Sequence, residues 1–231
     1  MNPLEKLEQE VISCTRCPRL VEWREAVADN PPLRYAGQEY WARPVPGFGD
    51  ANAQLLIIGL APAAHGSNRT GRMFTGDRSG EWLYRALHKA GFANQPQSVS
   101  RDDGLQLSQT FISAAARCAP PDNKPLPIEL SNCREYLLRE WQLLKNVRVV
   151  LGLGKIGFDA AFDASRQLHY TELKARPRFG HGAEVLLNAN SNKPGLVLMG
   201  TYHPSQQNTF TGKLTEPMFD AIFTRIKEIM N

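Results

Sequence analysis

Two kinds of residue in this sequence are typed and spaced for chemistry: four cysteines, and two polar loops that each follow an apolar run. The cysteines are Cys14, Cys17, Cys118 and Cys133. Cys14 and Cys17 form CTRC, a C-x-x-C pair, so two thiolates can face one metal centre from a single turn of chain. The other two stand far downstream. Four thiolates suit tetrahedral zinc and equally suit an iron–sulfur cluster, since both accept ligation by cysteine alone. Four unrelated buried thiols are the plainer alternative. A thioredoxin-type redox pair fits less well, because CTRC does not open a helix after a strand.

The first loop reads GLAPAAHGSNRTGRMFTGD, from Gly59 to Asp77. Its glycines let backbone approach a ligand closely. Asn68, Arg69, Thr70 and Arg72 are donors suited to phosphate, Phe74 is an aromatic platform among polar neighbours, and Asp77 is the loop's only carboxylate. Neither the G-x-x-x-x-G-K-S/T nor the G-x-G-x-x-G pattern of nucleotide-binding loops is present. The second loop reads HPSQQNTFTGKLT, from His203 to Thr215. There His203 and Asn208 could both donate hydrogen bonds to a developing anion.

The elements that must position these loops follow from hydrophobic period. Residues 3–28 read as a helix bent at the C-x-x-C pair, with Leu4, Leu7 and Val11 on one face. Residues 29–53, rich in Pro and Gly, read as a long surface connection. QLLIIGLAP is a buried parallel strand running into the first loop. Residues 80–90 carry Trp82, Leu83, Ala86 and Leu87 at helical spacing, and Gly91 is a natural stop. Further strands are expected at 110–118, 147–154 and 196–205, with helices at 128–144, 155–164 and 215–230. Residues 119–127 hold four prolines and must be loop. Residues 165–195 read as irregular and basic, with a short strand possible at GAEVLL. Strands alternating with helices imply an α/β fold: a three-layer α/β/α sandwich around a mainly parallel, four-stranded sheet, in one domain over 1–231. In such sheets the site lies beyond the carboxyl ends of the strands, where both polar loops begin.

Composition excludes several classes. At 231 residues, with 42% hydrophobic and 22% charged side chains, the chain can bury a core and is not disordered as a whole. No apolar run approaches the roughly 20 residues that span a bilayer. The acidic N-terminus, MNPLEKLEQE, has no apolar stretch of the kind a secretory signal needs. A net charge of +4 is compatible with a polyanionic partner and does not demand one.

Taken together, the two loops resemble the paired signature motifs of uracil-DNA glycosylases, most closely family 5, the B type of bacteria and archaea. The cysteines in CTRC, RCAPP and SNCREY are similar to the cluster ligands of families 4 and 5. The resemblance runs over essentially the whole chain and implies a 4Fe–4S cluster on Cys14, Cys17, Cys118 and Cys133, tying the N-terminal helix to the 118–133 region. Three positions depart from related families. Ala61 stands where family 1 has a water-activating Asp, Leu60 where family 4 has a Glu, and Ala114 where family 4 has a base-reading Asn. The B type is similar in lacking that polar group.

The resemblance implies hydrolysis of the N-glycosidic bond of uracil in DNA, opening base excision repair. Hypoxanthine and xanthine are further expected substrates, because Ala61 and Ala114 leave room. An enzyme of this kind extrudes the base from the stack. Phe74 would stack on it, and Asn123 would hydrogen-bond its edge. His203 would stabilise the departing base, supported by Asn208, and Asp77 would act on water or on the cationic sugar. Asp77 also stands where it would cap a helix. Phosphate contacts are expected from Arg69, Ser205, Lys213 and the KARPRFGH stretch at Lys174, Arg176 and Arg178, with Phe210 as a wedge. A monomer in the prokaryotic cytoplasm, associated with the nucleoid, is expected. The missing carboxylate at Ala61 supports one alternative, a non-catalytic iron–sulfur protein that binds lesions or nucleic acid.

Overall fold

Short runs buried on both faces become the parallel strands, and the alternation of side chains along each strand decides which layer each residue serves. The computed structural model describes residues 2–187 and 195–231. Its strands are β1 (Phe48–Gly49), β2 (Leu55–Gly59), β3 (Thr110–Ala114), β4 (Val149–Leu153), β5 (Glu184–Leu187) and β6 (Leu196–Thr201). The sheet order is β1-β3-β2-β4-β6-β5. β3, β2, β4 and β6 are mutually parallel, as expected, while β1 and β5 add antiparallel edges and raise the sheet to six strands. β5 falls at GAEVLL. β1 is two residues inside the Pro- and Gly-rich connection, too short to show a period. Of the stretch read as irregular, residues 188–194 lie outside the described residues.

The helices are α1 (Pro3–Ile12), α2 (Pro18–Asp29), α3 (Ser67–Thr70), α4 (Arg78–Lys89), α5 (Pro127–Leu143), α6 (Gly154–Gln167), α7 (Gln206–Phe210) and α8 (Glu216–Met230). Leu55, Ile57, Ile112, Val149, Leu151 and Met199 face α4 and α8, meeting Leu83, Leu87, Phe219 and Phe223. Their neighbours Leu56, Ile58, Phe111, Val150 and Leu198 face α5 and α6, meeting Leu137, Trp141, Phe158 and Phe162. α1 packs outside α5 through Leu7, Val11 and Tyr136.

The single bent helix expected over 3–28 is two helices. α1 starts on a capping box between Asn2 and Glu5 and stops at Ser13. Proline disfavours the α conformation in the residue before it, and Cys17 accordingly sits at φ −121°, ψ 88°. Pro18 then opens α2, leaving CTRC as the link between the two helices.

A buried ion pair fastens the layers. Arg117 and Glu140, 1% and 4% exposed at their side chains, pair beneath the end of β3. Ser113 Oγ donates to the same carboxylate at 2.7 Å, and the Gly47 N–H donates to its other oxygen at 3.2 Å. Removing one partner of such a pair leaves an uncompensated buried charge and costs about 3–5 kcal/mol. Glu140→Ala should lose stability on that scale in denaturant unfolding, and the double variant R117M/E140M should regain much of it. Equal stability of wild type and Glu140→Ala would refute the pairing.

Candidate active site

At the carboxyl end of β2 the chain turns into the Gly59–Asp77 loop, and at the end of β6 into the loop opening with His203. Between them lies a cleft of about 500 Å³ lined by Ala61, Phe74, Asp77, Asn123, His203 and Ser205, among others. Six of the residues singled out from the sequence therefore converge on one cavity.

Phe74 adopts φ +54°, a left-handed conformation that costs a non-glycine residue of order 1–3 kcal/mol. Its neighbours hold it there. Tyr84 Oη donates to the Met73 carbonyl at 2.7 Å, and Thr70 Oγ1 to the Thr75 carbonyl at 3.1 Å. The Arg72 guanidinium donates to Thr75 Oγ1 at 3.0 Å and to Ser98 Oγ at 2.6 Å, and pairs with both oxygens of Asp103. The Phe74 ring is pressed against β2: a Cβ on Gly59 would lie 2.6 Å from Phe74 Cζ. Its other neighbour is His203, at 6.0 Å between ring centroids.

The donors that looked suited to phosphate thus serve the loop itself. Arg72 is 3% exposed and Asn68 fully buried. Arg69, expected at phosphate, donates to the carbonyls of His65 (2.9 Å) and Gly76 (3.1 Å) and to Gln38, and lies over the Tyr35 ring. The physical reason is that a loop this rich in glycine has few apolar side chains beyond the buried Met73 and Phe74, so hydrogen bonds must hold the rest of its shape.

Asp77 caps α4, accepting from the Gly80 N–H at 2.9 Å through Oδ1. Its Oδ2 lies over Gly66, where a Cβ would come within 2.2 Å. Burial pushes its carboxyl above the ordinary value, against the Gly80 and Ser79 amides that pull it down. The cap and the cleft-lining position coexist on one side chain.

His203 is held through its backbone. Asn208 Nδ2 donates to the His203 carbonyl at 2.9 Å, so Asn208 supports the histidine from behind and does not line the cleft. Burial pushes the His203 imidazole down to about 4. Ser205 caps α7, a short helix inside the stretch expected to be a polar loop. Asn123, at φ +56°, reaches the cleft from the Pro-rich loop after β3. Ala114 is buried in the core beside Gly59 and does not line the cleft.

Phe210, 68% exposed, lies under the Arg78 guanidinium at 4.4 Å, and Arg78 Nε also reaches Thr209 Oγ1 at 3.4 Å. Lys213 lies over the Tyr202 ring at 4.9 Å. Arg176 pairs with Asp163 at 2.6 Å, and Lys174 and Arg178 are exposed. Arg78 also lines the cleft and was missed in the sequence. Its position just after the helix-capping residue that closes the loop was the available signal.

A model of the uracil DNA glycosylase superfamily matches residues 46–227. The type-5 uracil-DNA glycosylase of Mycobacterium bovis is 51% identical over 217 residues, covering 94% of this chain and 78% of its own. That of Mycobacterium leprae is 49% identical over 227 residues, covering 98% and 95%. That of Thermus thermophilus is 46% identical over 225 residues, covering 97% of each chain. The chain belongs to the uracil-DNA glycosylase superfamily, on its type-5 branch.

In this superfamily member the cysteines gather away from the cleft. Cys118 and Cys133 are buried, Cys14 and Cys17 half-buried, and all four are free. Cys118 lies within electrostatic reach of Cys14 and Cys133, and Cys133 within reach of Cys14 and Cys17, so the four share one neighbourhood. Burial pushes the Cys118 thiol up to about 12 and the Cys133 thiol upward. Donors surround the sulfurs. Arg24 Nη1 reaches Cys118 Sγ at 3.2 Å, Asn132 Nδ2 reaches Cys17 Sγ at 3.4 Å, the Arg117 amide bonds Cys133, and Tyr136 bonds Cys14. Among the described residues, no three His, Cys, Asp or Glu side chains are grouped to hold one metal ion.

With its basicity depressed, His203 should remain neutral across the physiological range. Its ring resonances should titrate with a midpoint near 4, not at the ordinary value of about 6.5. The unfolded chain binds the proton first, so this side chain should cost the fold stability as pH falls from about 6.5 toward 4. An NMR titration step near 6.5 would contradict the burial argument.

Proposed function

We propose that this protein removes uracil from DNA by hydrolysing its N-glycosidic bond, with the base extruded into the cleft between β2 and β6. The observation that carries this reading is the meeting of Phe74, a neutral His203 and the Asp77 carboxylate in one cavity, in a chain about half identical to type-5 uracil-DNA glycosylases.

Cleavage sends the C–N bonding pair into the base and leaves a cationic sugar. The main need is a preorganised donor for the charge on the departing base. A neutral imidazole supplies one N–H to a base carbonyl without first losing a proton. Water then bonds the sugar carbon and releases a proton, for which Asp77 is the carboxylate in the cleft. Its negative charge also faces the developing cation. Phe74 offers its ring to the extruded base, a contact typically worth about 1–3 kcal/mol. Asn123, which lines the cleft, would bond the base edge. Outside the cleft, Phe210 is the apolar side chain for the gap left by the base. Arg78, Lys213 and Ser205 are the groups for the backbone phosphates.

A cleft of about 500 Å³ with the small Ala61 in its wall also favours bases larger than uracil, hypoxanthine and xanthine first. For the cysteines we propose a 4Fe–4S cluster held by Cys14, Cys17, Cys118 and Cys133. Four buried or half-buried thiols among N–H and O–H donors suit an anionic group whose sulfurs accept hydrogen bonds. Bound there, it would supply a cross-link between CTRC and the β3–α5 region, outside the cleft.

His203→Ala should lower single-turnover release of uracil by about 100- to 1000-fold, the usual cost of one preorganised donor. Asp77→Asn keeps a cap and removes the charge. A loss approaching that of His203→Ala would assign Asp77 a charge or proton role, and a near-normal rate would restrict it to capping and orientation. Release of each base from a panel of uracil, hypoxanthine and xanthine oligonucleotides tests the scope. Absence of release from uracil DNA by intact protein would overturn the reading.

A further inference from the structure

On the inner face of α2 the buried positions are Leu20, Arg24 and Val27, an apolar spacing with an arginine in its middle. Arg24 is 4% exposed. A guanidinium cannot be deprotonated in a protein, and a buried charge is costly unless paired. The carboxylate beside it is Glu25, 3.8 Å away and itself 57% exposed, so water screens it strongly. Its direct contact inside the protein is Cys118 Sγ at 3.2 Å. Nε is buried with no partner among the described residues. A neutral thiol is a weak acceptor and does not balance a buried cation. A thiolate ligated in an anionic cluster does.

We propose that Arg24 is the buried counter-cation of the 4Fe–4S cluster. This rests on the cluster reading given above. The same residue joins that cluster to the active-site loop: the Arg24 carbonyl accepts from Asn68 Nδ2 at 3.2 Å, and Asn68 is fully buried in the Gly59–Asp77 loop. Charge balance at the cysteines and the seating of that loop therefore share one residue. A guanidinium hydrogen-bonded to a ligating sulfur stabilises the state with the extra electron, so its removal should make the cluster harder to reduce. Removing groups that support metal ligands typically weakens metal binding 10- to 100-fold.

The test compares full-length wild type, Arg24→Gln and Arg24→Lys, purified without oxygen. Iron and sulfide per chain, iron release to a chelator and the midpoint potential by film voltammetry are read on each. Arg24→Gln should show a more negative potential and iron release roughly tenfold faster or more. Arg24→Lys, which keeps the charge without the planar fork, should fall between. It also decides the matter if Arg24→Gln does not accumulate as folded protein. Wild-type potential and release rate in the folded variants would overturn the role of Arg24. Wild-type protein with no iron or sulfide would overturn the cluster reading itself, and Arg24's role with it.

Discussion

The candidate site depends on a close contact that a side chain on Gly59 would disturb: a Cβ there would lie 2.6 Å from the Phe74 ring. Because β2 ends in a residue without a side chain, the loop can fold back across the strand end. Phe74 then takes a left-handed backbone, and hydrogen bonds on both sides hold it there. Once Phe74 is seated, Asp77 comes down over Gly66 and starts α4. From the far side β6 delivers His203, whose backbone Asn208 fixes. The ring, the carboxylate and the imidazole are thus placed by backbone geometry at two parallel strand ends, where open α/β sheets place their ligands.

Buried arginines organise much of the remainder. Arg72 fixes the active-site loop to Asp103, Arg117 fixes β3 to α5 through Glu140, and Arg24 faces the cysteines. Each lies inside the protein, where a planar fork of donors can satisfy several acceptors at once. Other cations stand near the cleft. Arg78 sits at the cleft beside Phe210, and Lys213 lies beside Tyr202. A loop whose composition suggests phosphate binding is instead a hydrogen-bonded frame for an aromatic ring.

Of the four parallel strands, β2, β4 and β6 were legible as nearly continuous apolar runs, and β3, TFISA, as a short β-rich stretch between turn residues. The edge strand β1 was not, because two residues carry no period. CTRC and Pro18 both stood in the sequence, yet the break between α1 and α2 was read as a bend. The restriction that proline imposes on Cys17 was the overlooked cue. At the site, Phe74, Asp77, Asn123 and His203 were legible as types following strands. The inward turn of Arg69 and Arg72 was not, since their partners Gln38, Ser98 and Asp103 lie far off in sequence. Arg24 left a readable trace, a charged residue at an apolar helical position, which gains meaning only when Cys118 is found opposite it.

The most direct measurement of the central contact is single-turnover uracil release by Gly59→Ala. A Cβ there would lie 2.6 Å from the far end of the Phe74 ring, so the ring must move while the strand stays. Displacing a positioning group by about 1 Å can cost on the order of 100-fold in rate. The expected result is a loss of that size with unchanged thermal unfolding. Wild-type release from an equally stable Gly59→Ala protein would contradict the dependence of the site on this contact.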